Sequence, residues 1–160
     1  IYPSRKELER MKRERKRKEN LWKKITSKKW SGSFLEPLNF KPKKDNFGAI
    51  RIYGKKKSRH LGLDYGAPSG TRVVATNSGK VVFAGNLFLE GNTVIIDHGL
   101  SVYSCYAHLR KIYVKEGDYL KKGQPIGEVG STGRSTEPHL HYGIKVRNEW
   151  INPKAIKILD

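Results

Sequence analysis

Two histidines stand two residues apart in Pro138-His139-Leu140-His141-Tyr142, a run of β-forming residues. On a strand, successive side chains point to opposite faces, so His139 and His141 share one face and Leu140 points into a core. Upstream, His60-Leu61-Gly62-Leu63-Asp64 sets a histidine four residues before an aspartate. Four is also a helical spacing, but Gly62, Gly66 and Pro68 argue against a helix. On an extended segment the even spacing still puts His60 and Asp64 on one face, with Leu61 and Leu63 on the other. A neutral imidazole and a carboxylate are suitable zinc ligands, although a metal-free hydrogen-bonded pair is the commoner arrangement. The third stretch, Tyr106-Ala107-His108-Leu109, ends a run that alternates from Val102, so His108 is expected on the face of Tyr106 and Ser104. His98, in the turn Asp97-His98-Gly99, reads as structural only.

The elements that must position these residues are short. The chain has 160 residues, 16 of them Gly, and its apolar runs are brief. From residue 47 onward, β-type runs fall at about 49–53, 61–65, 72–75, 80–84, 93–97, 101–109, 112–114, 126–129 and 140–146. Turn signals such as Asn77-Ser78-Gly79 and Glu90-Gly91-Asn92 separate them. This spacing predicts a mainly β fold, an antiparallel β-sandwich or barrel-sandwich hybrid. The stretch 114–127 has two Gly-containing turns around short strands, as in the hairpins of biotinyl and lipoyl carriers. It lacks their modifiable Lys beside Met, so the likeness is one of architecture. Asn152-Pro153-Lys154-Ala155-Ile156 predicts one closing helical turn.

Residues 1–30 differ, with 13 Lys/Arg and 4 Asp/Glu. Ser4 followed by Glu7 has the form of a capping box. Leu8, Met11, Leu21, Trp22 and Ile25 form a thin, interrupted apolar stripe. The preferred expectation is a basic, solvated connector helix; the sharper one is a helix that docks on the domain or on an anionic surface. Gly32, Pro37 and Pro42 mark 31–45 as a linker and edge segment, which leaves 46–160 as the main domain.

The net charge of +18 predicts attraction to a polyanion, and residues 31–160 share it with 20 Lys/Arg against 11 Asp/Glu. The basic run has neither interleaved aromatics nor a nucleic-acid motif, so no specific nucleic acid is expected. No apolar run is long enough to span a bilayer. The chain opens on Ile1 rather than Met and is read as a processed or truncated piece, any export signal lying upstream or removed. The single Cys105 cannot form an internal disulfide and is expected in the core.

Taken together, His60, Asp64, His108, His139 and His141 resemble the lysostaphin-type (LytM-type) zinc metallopeptidases. The likeness runs from about residue 34 to 156. It includes the His-x-x-x-Asp motif, Tyr-Ala-His-Leu, the turn Gly-Ser-Thr-Gly-Arg-Ser-Thr at 130–136, and His-Leu-His. The resemblance implies the duplicated hybrid motif of that family and a Zn2+ cofactor held by His60, Asp64 and His141. It implies His108 and His139 as the catalytic pair. Three protein ligands leave a fourth position for water, the pattern of a catalytic zinc. Tyr53, near where some members place an active-site tyrosine, is a candidate oxyanion donor; an ordinary strand tyrosine is the alternative. The implied activity is hydrolysis of peptide cross-links or stem peptides of bacterial peptidoglycan. The implied place is the cell envelope, periplasmic or extracellular, with anionic envelope polymers as further partners of the basic surface. A non-catalytic wall-binding or hydrolase-activating module of the same fold is the alternative. One departure is Glu137, where the family usually has Gly before Pro-His-Leu-His.

Overall fold

The computed structural model describes residues 2–42, 50–53, 56–59 and 61–159, with the backbone alone for 50–53, 56–59 and 157–159. One helix, α1 (Arg5–Trp22), precedes the strands β1 (Ile50–Tyr53), β2 (Lys56–Arg59), β3 (Leu63–Gly66), β4 (Arg72–Val74) and β5 (Gly79–Leu87). Then follow β6 (Gly91–Gly99), β7 (Val102–Ile112), β8 (Tyr119–Leu120), β9 (Pro125–Val129), β10 (His139–Val146) and β11 (Glu149–Ile151). A 3-10 helix over Pro153–Leu159 closes the chain where a helical turn was expected.

The mainly β, antiparallel fold expected from the strand spacing is the one observed. β1 and β2 form a hairpin. The main sheet runs β11-β10-β7-β6-β5-β8, with β3 also on β10, and β9 joining β7 to β4. All its pairings are antiparallel. β10 is the strand on which the rest converges. One of its edges is taken by β3 over residues 139–142 and by β11 over residues 144–146; the other edge is taken by β7.

Alternation sorts β10 cleanly. Leu140, Tyr142 and Ile144 point into the main core with Leu63, Tyr65, Val94, Tyr106, Leu109 and Ile126. His139, His141, Gly143 and Lys145 therefore share the outer face. A smaller apolar cluster covers another part of that outer side: Trp22, Phe83, Leu87, Ile95, Tyr103 and Cys105. Cys105 is buried, as expected, and burial pushes its thiol up to about 12, so it is an inert core thiol.

The N-terminal segment follows the sharper of its two expectations. The capping box forms, with Ser4 Oγ accepting from the Glu7 N–H and Glu7 accepting from the Ser4 N–H. The helix, however, is docked on the domain and is not a solvated connector. Arg10 donates to Asn86 Oδ1 at 2.7 Å, Glu14 accepts from the Phe88 N–H at 2.8 Å, and Lys18 pairs with Glu90. Trp22 is buried edge-on against Tyr103 and Trp150. The reason is the fourfold spacing of Arg10, Glu14 and Lys18, which puts all three on one helix face. The following chain is also built in. Trp30, Phe34 and Leu38 enter the main core, and backbone bonds join Lys29 to His98, Leu35 to Thr76 and Val74 to Pro37. Residues 31–42 are thus packed against the strands.

Candidate active site

Three strands bring the predicted residues together. In the β3–β10 register Asp64 stands directly opposite His141 and Gly66 opposite His139. With Leu63, Tyr65, Leu140 and Tyr142 committed to the core, Asp64, His139 and His141 are forced to the outer side. His141 Nδ1 lies 3.0 Å from Asp64 Oδ1, and His139 Nε2 lies 3.9 Å from the same oxygen.

His108 arrives by a different route from the one expected. In an unbroken strand it would join Tyr106 on the core face. Instead the β6–β7 register shifts between Asn92 and Val94, and His108 takes φ 61°, the left-handed region. Such a bulge inserts one residue and re-aims the next side chain. Tyr106 and Leu109 both stay in the core. The His108 ring turns outward, 4.7 Å from the His139 ring and 6.4 Å from the His141 ring.

The segment 132–137 holds both catalytic candidates. His108 Nδ1 bonds the Thr132 carbonyl at 2.8 Å, and His139 Nδ1 bonds the Glu137 carbonyl at 3.0 Å. A carbonyl only accepts, so each Nδ1 carries the proton, and Nε2 is left as the nitrogen not engaged by the backbone. Ser135 Oγ is a further neighbour of His139 Nδ1, at 3.2 Å. Thr132 is itself pinned: its hydroxyl donates to the Leu109 carbonyl at 2.7 Å and accepts from the Asn92 N–H at 3.0 Å. Gly91 makes this close approach feasible, since a Cβ there would lie 2.4 Å from Thr132 and the backbone has φ 70°. The His108 N–H bonds the Glu90 carbonyl at 2.7 Å. Burial lowers the pKa of His108, opposed by the Thr132 hydrogen bond, so the ring is neutral near pH 7.

Glu137 acts on His139 through its backbone carbonyl. His98 is structural, as expected. It is buried with Nδ1 on the Ser78 carbonyl at 2.8 Å and Nε2 on Ser104 Oγ at 2.7 Å. Burial brings its pKa down to about 4. His60 lies outside the described residues, as does the side chain of Tyr53, whose backbone ends β1.

The two described donors, Asp64 and His141, are of types that suit a zinc ion, and at 3.0 Å they hydrogen-bond each other here. A tetrahedral ion with ligands at 2.0–2.2 Å holds its donor atoms about 3.3 Å apart. The 3.0 Å between Asp64 Oδ1 and His141 Nδ1 is close to that. No group of three or more His, Cys, Asp or Glu able to hold a metal occurs among the described residues, His60 being outside them.

The sequence profile of peptidase family M23 matches residues 58–153, a span that runs from just before His60 to just past the last strand. This chain belongs to peptidase family M23. The lysostaphin-type resemblance carried by the motifs is thereby borne out. The M23 domain is 41% identical over 115 residues to the peptidoglycan DD-endopeptidase ShyA of Vibrio cholerae, covering 71% of this chain and 27% of that protein. Its fold is similar to a zinc-containing peptidase from Vibrio cholerae (TM-score 0.71, 32% identity, covering 76% of this chain and 39% of that one). It is also similar to the catalytic domain of the antimicrobial peptidase lysostaphin from Staphylococcus simulans (TM-score 0.65, 34% identity, 74% and 92%). This chain spans about a quarter of the length of the curated relatives it matches. Sequence reading passed over Gly62, Thr132 and Glu90, which support the site through close approach and backbone bonds. Only the Gly-rich turns hinted at them.

Proposed function

We propose that this M23 domain is a zinc-dependent endopeptidase that hydrolyses peptide cross-links or stem peptides of peptidoglycan in the bacterial envelope. The observation that carries this reading is the convergence of Asp64, His141, His108 and His139 on one outer face. Their order matches the family motif, and the two non-ligand histidines are both fixed in the Nδ1–H form. In this reading His60, Asp64 and His141 hold the zinc. When bound, the ion supplies a Lewis acid that lowers the pKa of water and polarises a carbonyl.

The protein's own groups do the rest. His108, neutral and oriented by Thr132, is the general base: its Nε2 takes the proton from the attacking water and later returns it to the leaving amine. His139 donates from Nε2 to the developing oxyanion. That donation requires protons on both ring nitrogens. Residues 46–160 form the catalytic unit, with the basic helix and residues 31–42 built onto it. The alternative, a non-catalytic wall-binding or activating module, has no need of this set.

The test is release of soluble muropeptides from purified sacculi, with products identified by mass spectrometry. A tight chelator abolishes release and added zinc restores it. His141→Ala loses both metal and activity. His108→Ala and His139→Ala keep the metal and lower kcat by about 10²–10⁴-fold. Chelator-resistant release would overturn zinc dependence, and metal loss in His108→Ala would reverse the assigned roles. Wall binding with no bound metal and no release would favour the module.

A further inference from the structure

A cavity of about 580 Å3 lies between α1 and the β10–β11 hairpin. Four cations line it, Arg15, Lys18, Lys23 and Lys145, with one carboxylate, Glu19, and the indoles of Trp22 and Trp150. Its size falls within the range of small-ligand pockets, about 300–1,000 Å3. Lys145 is the informative residue. It is only 8% exposed, on the outer face of β10 that also carries His139 and His141. Its ammonium sits 4.8 Å from the Trp22 ring and 4.7 Å from the Trp150 ring. Ring faces take up part of the charge, but they do not replace acceptors for three N–H donors.

Among the described residues no carboxylate or carbonyl bonds the side chains of Lys145, Arg15 or Lys23. Lys18 is engaged by Glu90. The Lys145 side chain is mostly buried, but its ammonium is not sealed off, so an anion entering the cavity meets it and the exposed Arg15 and Lys23 without displacing a protein partner. Burial accordingly pulls the Lys145 pKa below the ordinary lysine value.

We propose that this cavity is an oxyanion-binding site, taking a phosphate or carboxylate group against Lys145, Arg15 and Lys23. Lys145 stands four residues beyond His141 on the same face, about 13 Å by strand rise. An acid held there therefore lies beside any chain occupying the histidine site; that last step rests on the peptidase reading, whereas the binding site does not.

The test is a titration of tryptophan fluorescence with tripolyphosphate and, separately, with citrate, in about 0.15 M salt to screen the general positive field. Lys145→Met and the rim variant Arg15→Met/Lys23→Met each weaken binding at least tenfold. Lys115→Met, an exposed lysine elsewhere, changes it less than twofold. Tighter tripolyphosphate assigns the site to phosphate, tighter citrate to carboxylate. Equal effects of all three variants, or none, would overturn the proposal. If Lys145→Met loses its near-native circular dichroism, the exposed rim variant decides. Anion binding by a protein that releases nothing from sacculi would sink the peptidase reading and leave this site standing.

Discussion

Gly62 has no side chain to offer chemistry, yet the close Asp64–His141 pair depends on it. A Cβ at this position would lie 2.6 Å from the Tyr142 carbonyl oxygen and 2.8 Å from His141 Nε2. Neither the β10 backbone nor a ring already facing Asp64 can retreat freely. Gly62→Ala should therefore displace His141 and cost about 10²-fold in kcat/KM, as roughly 1 Å of misplacement does. Metal analysis of the same variant should show weakened zinc retention. Full activity would mean that the strand relaxes around the methyl group. The sequence made His139–His141 legible because even spacing on a strand keeps side chains on one face. It misled for His108, whose face depends on a bulge. A bulge arises from the opposing strand's register, which leaves no mark in local alternation.

At the scale of elements, α1 is held by specific contacts along the face that carries Arg10, Glu14 and Lys18, and by the burial of Trp22. Trp22→Ala should lower stability by about 3 kcal/mol, the cost of emptying a packed aromatic site. Arg5→Ala, whose partner Glu9 is equally on the surface, should change it by less than about 0.5 kcal/mol. Urea unfolding measures both, and a neutral Trp22→Ala would restore the solvated-connector reading. The helix itself was legible from Ser4, Glu7 and the absence of Gly or Pro. Its docking was not, since Asn86, Phe88 and Glu90 are distant in sequence. Three strands also escaped the periodicity: β2, whose Lys-Lys-Ser-Arg has no apolar alternation, β8 and β11. β8 is two residues long. β11 follows a turn in which Arg147 and Asn148 both take positive φ, 50° and 64°. That geometry normally announces itself with Asn-Gly or Asp-Gly, and Arg-Asn gives no such signal.

For the whole molecule, His98 links fold stability to pH. It is buried between the Ser78 carbonyl and Ser104, with Phe34 of the N-terminal segment edge-on at 5.0 Å. Its folded pKa is about 4, below the ordinary value near 6.5. Above pH 6.5 the ring is neutral in both folded and unfolded chains, and the full stability is present. As pH falls from 6.5 to 4 the unfolded chain takes up the proton first, and roughly 3 kcal/mol is lost. Urea midpoints measured across this window should fall less steeply in His98→Gln than in the parent. Parallel slopes would show that another group governs the acid limb. The sequence alone determined the strand-rich class, the basic helix, and the residues whose types and order mark the M23 motif, because alternation, capping and turn chemistry are local. Tertiary structure alone decided three things. It put Asp64 against His141 through strand register, swung His108 outward through a positive-φ bulge, and folded residues 5–42 onto the domain. Each of these is fixed by contacts between residues far apart in the chain, which become neighbours only when the core closes.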